Sequence, residues 1–254
     1  MDVSVVIPTQ GQRPALLNEA IQSVSAQEFR PRELIVVVDG GEDVCERVRR
    51  DVAGAGLSVH VIVPTGAPAG VSTARNLGAA MASGAVLAFL DDDDLWAPGH
   101  LSAFGDGTFD VGLSAFLKLR EDGTLVPEKT PPARLHPRRF LVTNPGMRGS
   151  NLVVRRDLFR SVSGFRPFLP ALNDLDFGIR VSEVPALRYR RVRDRLVIFR
   201  SHRQARLTTA DSESIQTGVR EFWRLHRERM DAVDRERFIA RARSLWRIDI
   251  REDP

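Results

Sequence analysis

Short apolar runs alternate with stretches of helical spacing through the first ninety residues. Residues 3–7 (VSVVI), 34–38 (LIVVV), 59–63 (VHVIV) and 85–90 (AVLAFL) are continuous enough to predict strands buried on both faces. Between the first two, Leu16, Leu17, Ala20, Ile21 and Val24 recur at helix period, with Pro14 suited to the first turn. Val44, Val48 and Val52 mark a second helix over about 42–53, and residues 71–82 a third, stopped by Gly84. This alternation predicts an α/β fold with a mostly parallel central sheet, right-handed crossovers and helices on both faces.

The pattern changes after residue 94. Residues 109–119 predict a strand, EDGT (121–124) a hairpin turn, and Leu125 and Val126 the return. Residues 127–149 are rich in Pro, Arg and Gly and show no period, which predicts a long functional loop. A strand over 151–154, a short helix over 156–162 and a helix from Asn173 to about 184 follow. Two short strands are expected at 187–190 and 196–199, then two helices over 212–247 broken near 232–233. We read 1–210 as one domain whose topology becomes mixed near residue 100, and 211–254 as a helical extension.

Composition narrows the class. Hydrophobic residues make up 43% and charged residues 28%, a globular protein with a real core. Cys45 is the single cysteine, so no internal disulfide forms, which fits a reducing, cytoplasmic setting. No run of about eighteen apolar residues predicts a membrane span, and the first residues lack the basic region of a leader peptide. The net charge of +4 is unevenly spread: residues 1–100 carry −6 and residues 101–254 carry +10. The first part suits a cation and the second anions. Nucleic acid is disfavoured, because the C-terminal arginines are mixed with acids and lack interleaved aromatics.

In open α/β sheets ligands bind beyond the carboxyl ends of the strands. Those ends carry Pro8 and Thr9, then Asp39 with Gly40 and Gly41, then Asp91, Asp92, Asp93 and Asp94. Four adjacent carboxylates repel one another, and a divalent cation, Mn2+ or Mg2+, relieves that repulsion with oxygen ligands. A solvated acidic turn is the other reading. The glycine pattern of a dinucleotide site is absent after the first strand, and so is a Walker A loop. Lys118 and Lys129, the two lysines, are poorly placed for a response regulator. What remains is a site for a nucleoside-diphosphate donor.

At this point the sequence resembles family 2 glycosyltransferases of the GT-A fold. The matching segments are VSVVIPT (3–9), ELIVVVDGG (33–41), GVSTARNLG (70–78), 84–96, Gly164 with Phe165, and NDLDFGIRV (173–181). The resemblance implies an inverting, metal-dependent transfer of a sugar from a nucleotide donor, a UDP-sugar first, to an acceptor hydroxyl. It implies that Pro8, Thr9 and Asp39 hold the nucleoside and that Arg75 approaches the base or diphosphate. Paired with a nearby carboxylate, Arg75 would instead be structural. The D-x-D pattern of the family falls on Asp91, Asp92 and Asp93: Asp91 toward the ribose, Asp92 at the variable place, Asp93 on the metal. Asp94 fits a further acid common in the family. Asp174 is implied as general base, and His202 as a third metal ligand or a diphosphate contact, with Arg200, Arg203 and Arg206 around it. Where the family usually has Asp-Asp-Gly-Ser, this chain has one carboxylate, Asp39, and Asn173 stands in place of a Glu.

A sugar nucleotidyltransferase and a non-catalytic nucleotide-sugar-binding or assembly protein are the alternatives. No motif names the acceptor, so a glycan, a lipid-linked sugar, a peptide and a small natural product stay open. The basic C-terminal helices offer a surface to an anionic membrane or to a second copy in a homodimer, with Phe222, Trp223, Leu225 and Met230 packing on the body or on that copy. Trp96 is expected in the core or on the acceptor wall, His60 and Cys45 in structural positions, and His100 on a helix surface.

Overall fold

The computed structural model describes residues 1–52, 56–64, 70–200 and 212–250. Its first half follows the alternation closely: β1 (Val3–Thr9), α1 (Pro14–Ser25), β2 (Glu33–Val38), α2 (Glu42–Val52), β3 (Val59–Ile62), α3 (Gly70–Met81) and β4 (Val86–Phe89). Every residue of β1, β2 and β4 is buried. Their side chains divide between two apolar layers. Val6, Ile35, Leu87 and Phe89 face one, and Val5, Leu34, Val36 and Ala88 the other. That explains why these strands read as unbroken apolar runs. Helix α3 lies close against the sheet because Gly78 lacks a side chain; a Cβ there would sit 2.4 Å from Val6 Cγ1.

The second half adds β5 (Leu95–Trp96), β6 (Val111–Leu119), β7 (Leu125–Pro127), α4 (Pro137–Val142), β8 (Leu152–Arg155), α5 (Arg156–Ser161), α6 (Asn173–Ser182), β9 (Tyr189–Arg200), α7 (Glu213–His226) and α8 (Ala232–Trp246). The strands form one sheet in the order β3-β2-β1-β4-β8-β6-β9-β5, with β7 beside β6. Strands β3, β2, β1 and β4 are parallel, β8 runs antiparallel between β4 and β6, and β6 and β9 are parallel again. The order reverses between β1 and β4. A crevice opens at such a reversal, beyond the carboxyl ends of the two strands.

Four expectations are corrected. The strands expected at 187–190 and 196–199 are one strand, β9, whose pairing with β6 slips at Ser114, Ala115 and Phe116; this slip breaks the apolar pattern that suggested two strands. The 127–149 stretch contains the short helix α4, capped by the His136 side chain, which accepts from the Arg138 N–H. His100 is fully buried, stacked on Trp96 with centroids 4.4 Å apart and within 3.3 Å of the Ser114 hydroxyl. Burial lowers its pKa to about 3, so it packs as a neutral ring. The run 59–63, expected to be buried on both faces, is edge strand β3 and only partly covered, and His60 on it has 54% of its side chain exposed, 3.3 Å from Glu33.

Phe222, Trp223 and Met230 join the same apolar layer as Phe140, Leu175 and Phe177 of α4 and α6. Helices α7 and α8 thus spend this apolar face on their own chain. Among the described residues, no helix is long and apolar enough to cross a membrane.

Candidate functional site

Strand β1 delivers Pro8 and Thr9, β2 delivers Asp39, and β4 leads into Asp91, Asp92 and Asp93. All of them line one cavity of about 670 Å3 with Arg13, Arg75, Arg148, Gly149, Asn173, Asp174 and Ser212. Three sheet edges and the start of α6 therefore meet at the strand-order reversal. Pro8, Thr9, Asp39, Arg75, Asp91, Asp92, Asp93 and Asp174 are all at this cavity, whereas Asp94 and Arg200 do not line it. His202, Arg203 and Arg206 lie outside the described residues.

The four acids behave differently because their neighbours differ. Asp91, about one-third exposed, accepts from Arg75 Nη2 at 2.5 Å. Asp92 spends both oxygens inside the protein, accepting from the Thr9 hydroxyl at 2.5 Å and from Arg13 Nη2 at 2.6 Å. Burial pushes the Asp92 carboxyl up to about 6, against the pull of Thr9 and Arg13. Asp93 accepts from Arg13 Nη1 at 2.7 Å. Asp94 accepts from the Ser150 hydroxyl at 2.5 Å and from the Arg200 N–H at 3.2 Å. Burial first, and then the charges of Asp93 and Asp91, hold the Asp94 carboxyl well above the usual carboxylate range.

Arg75 is 4% exposed. Besides Asp91, its guanidinium reaches Asn173 Oδ1 at 3.3 Å and lies 5.2 Å from the Phe165 ring centre. It fits there because residue 149 is glycine; a Cβ at Gly149 would stand 2.2 Å from Arg75 Nη2. The ion pair weighed in the sequence is thus present, and Arg75 still forms part of the cavity wall.

Helix α6 opens at the cavity. Leu172, just before it, is left-handed (φ 58°), a conformation that costs a non-glycine residue about 1 kcal/mol and persists where surrounding contacts enforce it. The turn sets Asn173 and Asp174 on the cavity wall. Asp174 Oδ1 accepts from the Leu175 N–H at 2.9 Å and Oδ2 from Asn144 Nδ2 at 2.5 Å. Burial raises the Asp174 pKa, opposed by Arg75, the Leu175 N–H and Arg148. On the far side of the same helix turn, Asp176 is fully buried and accepts from Arg166, Arg180 and His226. Asp39 also lines the cavity and accepts from the Gly70 N–H at 2.8 Å.

Sequence reasoning missed Arg13, Asn144 and Arg148. Arg148 pairs with Glu128 and lies 4.0 Å from the Phe199 ring centre. None of the three sits in a periodic segment that ties it to the acids, so their place was set by the fold. The basic residue just before Pro14 was the only local hint.

Asp91 and Asp93 bring hard oxygen donors to the cavity wall, which fits Mn2+ or Mg2+. Among the described residues no three or more His, Cys, Asp or Glu side chains converge as a complete metal cage. That fits an ion held by one or two carboxylates and completed by a ligand's phosphates.

Residues 4–106 match the family model for glycosyl transferase family 2. The match spans 103 of the 254 residues. It is 30% identical over 183 residues to the glucosyl-dolichyl phosphate glucuronosyltransferase of Haloferax volcanii, an alignment covering 65% of this chain and 56% of that protein. It is 33% identical over 100 residues to the GalNAc(5)-diNAcBac-PP-undecaprenol beta-1,3-glucosyltransferase of Campylobacter jejuni, covering 39% of this chain and 32% of that one. The chain thus spans about half the length of the first relative and a third of the second.

The chain also shares its fold with solved structures. S. aureus TarS in complex with UDP-GlcNAc superposes with a TM-score of 0.65 at 18% identity, over 99% of this chain and 74% of that one. The mannosyltransferase PcManGT of Pyrobaculum calidifontis, in complex with GDP-Man and Mn2+, superposes with a TM-score of 0.63 at 19% identity, over 95% and 69%. The expected GT-A architecture is the observed one.

Proposed function

We propose that this chain transfers a sugar from a nucleoside-diphosphate donor to an acceptor hydroxyl, with inversion at the anomeric carbon. One observation carries the reading: Asp39, Asp91, Asp93 and Asp174, from three separate parts of the fold, line a single cavity. A wall of carboxylates suits a cationic or hydroxyl-bearing ligand, beside the arginines that already pair with Asp91 and Asp93. The family-model match over residues 4–106 and the donor-bound fold relatives point the same way.

In this reading Pro8, Thr9 and Asp39 contact the nucleoside, and Asp91, held by Arg75, contacts the ribose. Asp92 braces the turn through Thr9 and Arg13. Asp93 holds the divalent cation on the diphosphate, with His202 as a further ligand or phosphate contact. Mn2+ or Mg2+, when bound, offsets the negative charge that grows on the departing diphosphate. Asp174 takes the proton of the acceptor hydroxyl. The acceptor oxygen then forms its bond to the anomeric carbon as the bond from that carbon to the phosphate oxygen breaks. A base on the side opposite the leaving group makes this a single in-line displacement, hence inversion.

The donor base is not dictated by the single acid Asp39, so a UDP-sugar is the first to test and a GDP-sugar the second. The lipid-linked names of the two curated relatives make a lipid-linked sugar the first acceptor to try. The test is a screen of nucleotide sugars by thermal shift with Mn2+, followed by transfer assays of Asp93→Ala and Asp174→Asn. We expect donor-dependent stabilisation that Asp93→Ala removes, and a 10²–10⁴-fold loss of transfer in Asp174→Asn, about the contribution of a general base. Wild-type transfer by both variants would refute the assignment.

A further inference from the structure

The stretch 127–149 carries no motif, yet it supplies a side-chain hydrogen-bond donor to Asp174. Asn144 Nδ2 donates to Asp174 Oδ2 at 2.5 Å and also to the Met147 carbonyl. Asn144 Oδ1 accepts from the backbone N–H groups of Gly146 at 2.8 Å and Met147 at 2.9 Å. Those two donors settle which end of the carboxamide is oxygen, and so place the NH2 end against Asp174. The turn is held from below as well. Lys129 Nζ donates to the Asn144 carbonyl at 2.6 Å, and Asn151 Nδ2 donates to the Gly146 carbonyl at 2.9 Å and to the Ser114 carbonyl of β6 at 2.7 Å. Asn144 is therefore a rigid donor built into a sheet-anchored turn and aimed at one carboxylate oxygen.

We propose that Asn144 is a positioning residue for the transfer reaction: its carboxamide clamps Asp174 in the orientation in which the carboxylate receives the acceptor's proton. The proposal rests on the reading of Asp174 as general base. A donor hydrogen bond to a carboxylate also favours its ionised form, which is the form able to accept a proton. The charged groups around the carboxylate are Arg75 from α3, Arg148 ahead of β8 and Lys129 after β7, with Arg241 of α8 next to Lys129. Among the described residues, Arg75 is committed to Asp91 and Arg148 to Glu128, and neither forms an ion pair with Asp174. The neutral amide is thus the direct side-chain partner of the base, while the cations act from a distance.

The test is the pH dependence of kcat in Asn144→Ala and Asn144→Asp, with Asp174→Asn alongside. Asn144→Asp keeps an oxygen acceptor for the Gly146 and Met147 N–H groups, so the turn persists while the donor to Asp174 is lost and a like charge takes its place. We expect the acidic limb of the kcat profile to move up by about one pH unit in Asn144→Ala, the loss of one hydrogen bond to a charged group, and further in Asn144→Asp. At neutral pH kcat should fall about tenfold, with the donor KM within a factor of two. An acidic limb that stays in place in both variants, or a loss confined to donor KM, overturns the proposal even if Asp174→Asn is inactive. If Asp174→Asn retains wild-type kcat, the base assignment itself fails and takes the Asn144 role with it.

Discussion

Arg75 closes on Asp91 from a buried position, and Gly149 is what lets it do so. The guanidinium reaches the carboxylate at 2.5 Å, and the space a Cβ of residue 149 would fill is already taken by Arg75 Nη2. A helix of the parallel half, a strand end and the turn before β8 are thereby joined at one point. Gly149→Ala should push the guanidinium off Asp91. We expect a loss of about 1–3 kcal/mol in stability, the usual cost of overpacking, and at least tenfold weaker donor binding. Urea denaturation and titration with a nucleotide sugar measure the two effects, and a variant with unchanged donor affinity would show that the Arg75–Asp91 geometry is irrelevant to the ligand.

Arg13 bridges Asp92 and Asp93, the second of which is the proposed metal ligand. A fixed positive charge on a ligand oxygen competes with a divalent cation for it. Arg13→Gln is therefore expected to bind Mn2+ several-fold more tightly than the wild type, measured as the loss of free-Mn2+ signal in electron paramagnetic resonance. Equal affinity would mean that the guanidinium and the ion do not share Asp93.

Asp176 ties α6 to α7 through His226 and to the preceding loop through Arg166. Burial alone would raise its pKa, but the hydrogen bond from His226 and the charges of Arg180 and Arg166 outweigh it and hold the carboxyl below the usual carboxylate range. A depressed native pKa contributes stability above the unfolded value, about 4, and that contribution is lost as pH falls through the native value. Tm should therefore drop steeply below about pH 4 in the wild type. Asp176→Asn should start about 3 kcal/mol less stable at neutral pH, because three cationic or donor groups lose a buried charge partner, and should show a flatter acid limb. A Tm profile parallel to that of the wild type would rule this linkage out.

Because α6 also carries Asp174, the same contact connects the C-terminal helices to the site. Phe222→Ala, in α7, removes a fully buried ring packed on Phe238 and His226. A destabilisation of about 3–5 kcal/mol is expected for such a truncation. Transfer activity should then be lost at a lower temperature than in the wild type, with kcat at low temperature reduced less than tenfold; circular dichroism melts beside activity measurements separate the two.

The residues themselves determined the parallel half of the sheet and the acidic edge. Unbroken apolar runs cannot be solvated, so they declare buried strands, and the first polar residues after them, Thr9, Asp39 and Asp91, fall at strand ends by chain order alone. The helix that Asp174 opens was legible from its period, while a role for Asp174 came only from the resemblance to family 2 glycosyltransferases. Tertiary structure alone decided which partners these acids have. Arg13, Asn144 and Arg148 come from irregular segments where no period records direction; Arg13 meets Asp93 across 80 positions of sequence and Asn144 meets Asp174 across 30. The inward turn of His100 and the joining of β9 into one strand were settled the same way, since packing against β5 and β6 outweighs the local pattern. Local pattern reports only whether a side chain leaves water; which charge it then meets depends on how distant segments close around it.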